Sequence, residues 1–155
     1  MSIQIPAHNR SVIVFDIDGC LVDSFDRLPH LLKGDRETYD KLHPTDRVIP
    51  AGAAVYRTLL MNHHCIFITS RSACAREYTM AQLAAALPGI SLDGVVLLMR
   101  PIDCEETDVV LKPRLLVEAG YTPDEVLLVI EDSAIMNAHW RSLGITCWQT
   151  LPNAV

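Results

Sequence analysis

Two aspartates one residue apart, in Asp16-Ile17-Asp18-Gly19, follow directly on the apolar run SVIVF at 11–15. Glu131-Asp132 follows VLLVI at 126–130, Thr69-Ser70-Arg71 closes CIFIT at 65–69, and Arg100 follows GVVLL at 94–98. Carboxylates gathered in one place repel one another and are costly to desolvate unless cations lie among them. A divalent metal meets that need. Oxygen donors with no His or Cys in the set favour Mg2+, which keeps several waters and meets a phosphate oxygen of its substrate. Asp16, Asp18, Glu131 and Asp132 are the expected metal residues, and Lys112 supplies further positive charge. Asp16, at the end of its run, is placed as a nucleophile toward phosphorus, forming an aspartyl-phosphate. Asp18 is spaced to protonate the leaving oxygen and later to deprotonate the attacking water, while Gly19 permits a tight turn that exposes backbone N–H groups to phosphate. Thr69 would hydrogen-bond a phosphate oxygen.

These residues need elements that bring them to one edge. The five apolar runs, the fifth being GITCW at 144–148, show no alternation, as expected of strands covered on both faces in a parallel sheet. Between them, 51–64, 72–87, 113–120 and 133–144 carry helical patterns, with Pro113 suited to a first helical position and Gly120 and Gly144 to helix ends. The expectation is an α/β three-layer sandwich around a central five-stranded parallel sheet, Rossmann-like. In such sheets ligands bind beyond the carboxyl ends of the strands, where every residue named above falls. Ser24 to Pro50, rich in Asp, Arg and His, reads as a short insertion or lid within a single domain spanning 1–155. Trp140 and Trp148 are expected to pack against the sheet.

Composition sets bounds on partners. The chain has 155 residues, 50% hydrophobic and 21% charged, enough to bury roughly 70% of its unfolded surface without staples. A net charge of −6 opposes broad electrostatic binding of duplex nucleic acid. The 5 cysteines form no C-x-x-C pair, which fits a reducing cytosol. The N-terminal MSIQIPAHNRS holds no apolar run of signal-peptide length, and nothing approaches the ~18 apolar residues of a membrane span, so a cytoplasmic protein is expected.

Four motifs in order, FDIDGCLVD, IFITS, Lys112-Pro113 and VIEDS, resemble those of the haloacid-dehalogenase-like phosphatases and cover residues 12 to 148. Within that superfamily the text VIEDSAIMNAHWRSLGITCWQT is similar to the 3′-phosphatase domain of phage-type polynucleotide kinase-phosphatases. The resemblance implies that Arg27, Arg71 and Arg100 grip substrate phosphate or sugar, and that Asp108 holds an arginine or the lysine in place. It departs at Cys20, where Thr is usual, at Glu131, where Asp is usual, and at Ser133, where the polynucleotide enzymes have Arg. Glu131, with its longer arm, suits a metal contact through water, which leaves Asp132 as the direct ligand. No G-x-x-x-x-G-K-[ST] occurs, so a kinase half is absent from this sequence.

The implied activity is a Mg2+-dependent phosphomonoesterase that removes 3′-phosphates from polynucleotide ends. The insertion at 24–50 is too short for a large cap and would leave room for a strand end. The acidic balance favours the alternative, a nucleoside monophosphatase. A phospho-acceptor or binding module is the remote reading: a receiver domain carries its acceptor Asp after the third strand, where this chain has Met99-Arg100-Pro101.

Overall fold

The computed structural model describes residues 12–150. Ser11, expected to open the first strand, and the N-terminal segment read for a leader lie outside the described residues. Five strands form one parallel sheet: β1 (Val12–Phe15), β4 (His64–Ser72), β5 (Leu97–Arg100), β6 (Val126–Glu131) and β7 (Cys147–Gln149), in the order β5-β4-β1-β6-β7. The chain runs outward from β1 to β5 and then returns to the other flank of β1 for β6. Strand order therefore reverses at β1, which places the crevice at the carboxyl ends of β1 and its neighbours.

Apolar residues bury both faces. On one, Ile13 and Phe15 pack with Tyr56 of α3 (Pro50–Leu60) and Leu83 of α4 (Arg76–Ala86); the Tyr56 and Phe67 rings stack at 4.8 Å. On the other, Val12 and Val14 pack with Leu111 and Leu115 of α5 (Asp108–Glu118) and with Met136 and Trp140 of α6 (Ala134–Ser142). This is the expected sandwich. Trp140 lies in the core, but Trp148 does not: it is 60% exposed on the edge strand β7, which has no neighbour on its outer side among the described residues.

Several boundaries differ from the sequence reading: β4 runs on to Ser72 and β7 begins at Cys147, not 144, and two further differences have a clear local cause. The third strand of the sheet begins at Leu97, not 94, because Gly94 turns at a φ of 77° and Val95 N–H bonds back to Leu92. α5 begins at Asp108, so Pro113 is interior rather than first; the helix forgoes the bond that a residue there would donate to the Val109 carbonyl. Gly120 and Gly144 do stand just past α5 and α6, both in the left-handed region.

Between β2 (Val22–Asp23) and β3 (Arg47–Val48), which pair antiparallel, the chain forms a small helical cap with α1 (Leu28–Leu32) and α2 (Arg36–Lys41). A Cβ at Gly52 would strike the Cys20 carbonyl, so only glycine lets α3 lie this close to the turn after β1.

Candidate active site

β1 delivers Asp16 to the crevice. Its backbone N–H donates to the Ile130 carbonyl at 3.0 Å, its Oδ1 accepts from Ile17 N at 2.9 Å, and its Oδ2 lies 3.0 Å from Lys112 Nζ. Lys112, buried on the second turn of α5, also donates to Glu131 Oε2 at 2.7 Å. Burial raises the Asp16 carboxyl well above the usual carboxylate range, Glu131 and Asp18 push the same way, and Lys112 opposes them. Burial would lower the Lys112 ammonium, but Asp16 and Glu131 outweigh it and hold the lysine charged. Asp132 is also raised, by burial and then by Asp16.

The fit to a divalent cation depends on which donors converge. One carboxylate oxygen each from Asp16 and Asp132, together with Cys20 Sγ, lie within 4.8 Å of one another. Gly19, at a φ of 73°, passes so close to Asp132 that a Cβ would collide with the carboxylate, and this lets the turn fold down onto the acid. Burial and the carboxylates push the Cys20 thiol far up, which leaves it a neutral side chain and the two aspartates as the hard donors. Two carboxylates plus water and substrate phosphate fit Mg2+. Of the four acids expected, Glu131 turns to Lys112 and Asp18 turns to the cap.

Asp18 meets two arginines. Arg71 Nε and Nη2 grip its two oxygens at 2.8 Å each, and Arg27 Nη2 reaches Oδ1 at 2.6 Å. Burial would raise this carboxyl, but the charge and hydrogen bonds of Arg71, then the charge of Arg27, hold it well below the usual range. Arg27 is fully buried: its Nε donates to both Asp46 oxygens at 2.7 and 2.8 Å, and its guanidinium lies 4.4 Å from the Tyr39 ring centre. Arg71 also donates to Gln82 Oε1 at 2.6 Å, and Gln82 in turn holds Asp46 and the His43 carbonyl. Arg100 donates to the carbonyls of Ser70, Cys104 and Glu106 and to Asp108 Oδ1 at 2.7 Å, which ties it to the start of α5.

Thr69 is buried, and its hydroxyl accepts from Arg71 N at 3.2 Å. Its neighbour Ser70 lines the cleft with a hydroxyl that has no partner among the described residues. That cleft, of about 460 Å3, opens at Asp18 between the cap (Arg36, Tyr39) and the segment from Arg100 to Asp108. Sequence reasoning passed over Ser70, Tyr39, Arg36, Asp46 and Gln82. Only Ser70, inside the Thr69-Ser70-Arg71 run, carried a local signal.

A parallel sheet that sets an Asp-x-Asp turn, a buried lysine and a second acidic pair at adjacent strand ends defines a haloacid-dehalogenase-like phosphatase. The chain belongs to the polynucleotide kinase PNKP phosphatase domain family, whose model matches residues 10–154. Its fold is similar to that of a chain in a Pnkp1/Rnl/Hen1 complex, with a TM-score of 0.74 and 23% identity over 99% of this chain and 50% of that one. A chain from the Pnkp1/Rnl/Hen1 RNA repair complex gives a TM-score of 0.77 at 20% identity, covering 99% of this chain and 49% of that one. A hydrolase from Pseudomonas syringae gives 0.65 at 16% identity, over 89% and 82%. The chain thus spans about half the length of the first two. No curated protein matches it. No helix among the described residues is long and apolar enough to cross a membrane.

Proposed function

We propose that this phosphatase is a Mg2+-dependent phosphomonoesterase that removes 3′-phosphates from polynucleotide ends through an aspartyl-phosphate on Asp16. The observation that carries the reading is the Asp16 carboxylate, held 3.0 Å from Lys112 at the strand end beside the two-aspartate cradle. Asp16 attacks phosphorus, the bond to the sugar 3′-oxygen breaks, and that oxygen takes a proton from Asp18. Water then attacks the acyl phosphate, returns a proton to Asp18 and releases phosphate, which restores Asp16. Asp16 and Asp132 would hold the Mg2+, with Glu131 expected to serve it through water, and the ion would supply charge against the phosphoryl oxygens. Lys112 adds charge from the other side and keeps Asp16 oriented.

Asp18 rests ionised between Arg71 and Arg27, which suits the base half of the cycle. The acid half requires a proton on Asp18. A substrate phosphate that draws on Arg71 and Arg27 loosens their hold, so these arginines both clamp Asp18 and meet substrate. Thr69 and Ser70 offer hydroxyls to the phosphate, Arg100 meets phosphate or sugar at the cleft wall, and Asp108 keeps Arg100 in place. We read the chain as one cytoplasmic phosphatase domain, with 24–50 as an insertion that roofs the site.

The test is Mg2+-dependent phosphate release from a 3′-phosphorylated oligonucleotide beside nucleoside 3′- and 5′-monophosphates, with Asp16→Asn as control. Preference for the oligonucleotide supports the reading. Preference for monomers turns it into a nucleotidase, which the acidic rim residues Glu105 and Glu106 favour. A stable phosphoprotein with no turnover would make it a phospho-acceptor.

A further inference from the structure

Two cavities lie side by side under the cap. The second, of about 490 Å3, sits between α2 and the start of α4 and is walled by Glu37, Lys41, Ser72, Cys74 and Tyr78. It shares Arg36 and Asp40 with the cleft at Asp18. Both volumes fall in the range of roughly 300–1,000 Å3 found for small-ligand sites. A mononucleotide bound at Asp18 would fill one cavity and leave the other empty.

The shared wall carries the argument. Arg27, Arg71 and Arg100 are each engaged by a carboxylate of the protein at 2.6 to 2.8 Å. Arg36 is exposed, forms no ion pair with another described residue, and lies 5.7 Å from the Tyr39 ring centre. Unlike those three it has no carboxylate hydrogen-bonded to it among the described residues; its charge acts on Asp40, and it stands between the two spaces. In the outer cavity Lys41 is taken by Glu37 at 2.6 Å, while Tyr78 is half-buried and stacks on no other ring among the described residues. A guanidinium meets a phosphodiester well, and a free aromatic face accepts any base.

We propose that a 3′-phosphorylated single strand enters with its terminal nucleoside in the Asp18 cleft and the preceding nucleotide in the outer cavity. Arg36 holds the phosphodiester that joins them, and Tyr78 stacks on the outer base. This rests on the 3′-phosphatase reading and makes the substrate a strand of at least two nucleotides. It also accounts for strand binding by a chain of net charge −6: one phosphate is held locally and no basic surface is needed.

The experiment compares kcat/KM for a 3′-phosphorylated tetranucleotide with that for a nucleoside 3′-monophosphate in the unaltered protein, Arg36→Ala, Arg36→Lys and Tyr78→Ala. Anisotropy of the same labelled tetranucleotide is followed against salt. Arg36→Ala and Tyr78→Ala each lower the tetranucleotide-to-monomer ratio about tenfold, through KM. Arg36→Ala makes the slope of log affinity against log salt shallower by about 0.7, and Arg36→Lys keeps it. A ratio and a slope untouched by both alanine variants overturn the strand track while leaving the phosphatase intact. Tetranucleotide binding that depends on Arg36, with no phosphate released from any substrate, overturns the phosphatase reading alone.

Discussion

Two buried charge clusters meet at Asp16-Ile17-Asp18, and they are built differently. On the sheet side, Asp16, Glu131 and Asp132 face the single cation Lys112. On the cap side, Asp18 and Asp46 face Arg27 and Arg71, two against two, with Gln82 bridging. The consequence appears in two aspartates two residues apart: Asp16 is raised well above its ordinary range and Asp18 held well below it. The cap-side cluster pairs its charges two against two and holds the cap to the sheet, although burial still raises the Asp46 carboxyl and Arg27 Nη1 has no partner among the described residues. The sheet-side cluster has one cation for three acids, an imbalance that adds to the convergence of Asp16 and Asp132 in supporting the proposed metal site.

Breaking each cluster should therefore do opposite things. Asp16→Asn lowers phosphate release by at least about 10⁴-fold, as loss of a nucleophile does, while thermal melting is unchanged or higher because a repelled buried carboxylate is gone. A melting point that falls with activity would show that Asp16 belongs to the structural set. Arg71→Ala leaves Asp18 with Arg27 as its remaining cation and Gln82 Oε1 without its donor, and costs about 1.5–3 kcal/mol in urea unfolding. A cost below about 1 kcal/mol would mean that the cap-side cluster is not what holds the cap. Saturating Mg2+ stabilises the unaltered protein by about 2.7 kcal/mol at a hundredfold excess over Kd, and Asp132→Asn abolishes that gain. Equal stabilisation of Asp132→Asn would move the cradle elsewhere.

The remaining effect is one of pH and concerns His43, buried beside the cap-side arginines. Burial, then Arg71 and Arg27, lower it from 6.5 to about 3. An unfolded chain takes a proton on this histidine below pH 6.5 and the folded one does not, so its contribution to stability is full above 6.5 and declines as pH falls toward 3. His43→Gln should flatten that part of the stability curve. An unchanged slope would place the acid sensitivity elsewhere.

Most of the sheet was legible because its strands are continuous apolar runs and the chemistry follows directly on them: Asp16, Glu131 and Asp132 stand at strand ends, as their spacing implied, while Thr69 lies inside β4, which runs on to Ser72. The helix before Lys112 was not, since Pro113 looks like a start and the true start at Asp108 depends on tertiary packing of Leu111 and Leu115. Trp148 resembled core but lies on an edge strand, a matter of sheet order and not of local pattern. The cap-side cluster was hidden for a related reason. Arg27 and Arg71 were visible as cations near the site, but their partners Asp46 and Gln82 come from 19 and 11 residues away, with no motif to announce them.

Gly52 sits in a helix on the face of the sheet, touches no substrate and carries no functional group, yet its missing side chain is what lets α3 press on the Cys20 carbonyl. Any larger residue must push back the turn that carries Asp18 and Gly19. In a survey of all substitutions scored by activity, position 52 should be as intolerant as the nucleophile itself, a silent position that chemistry alone would never nominate.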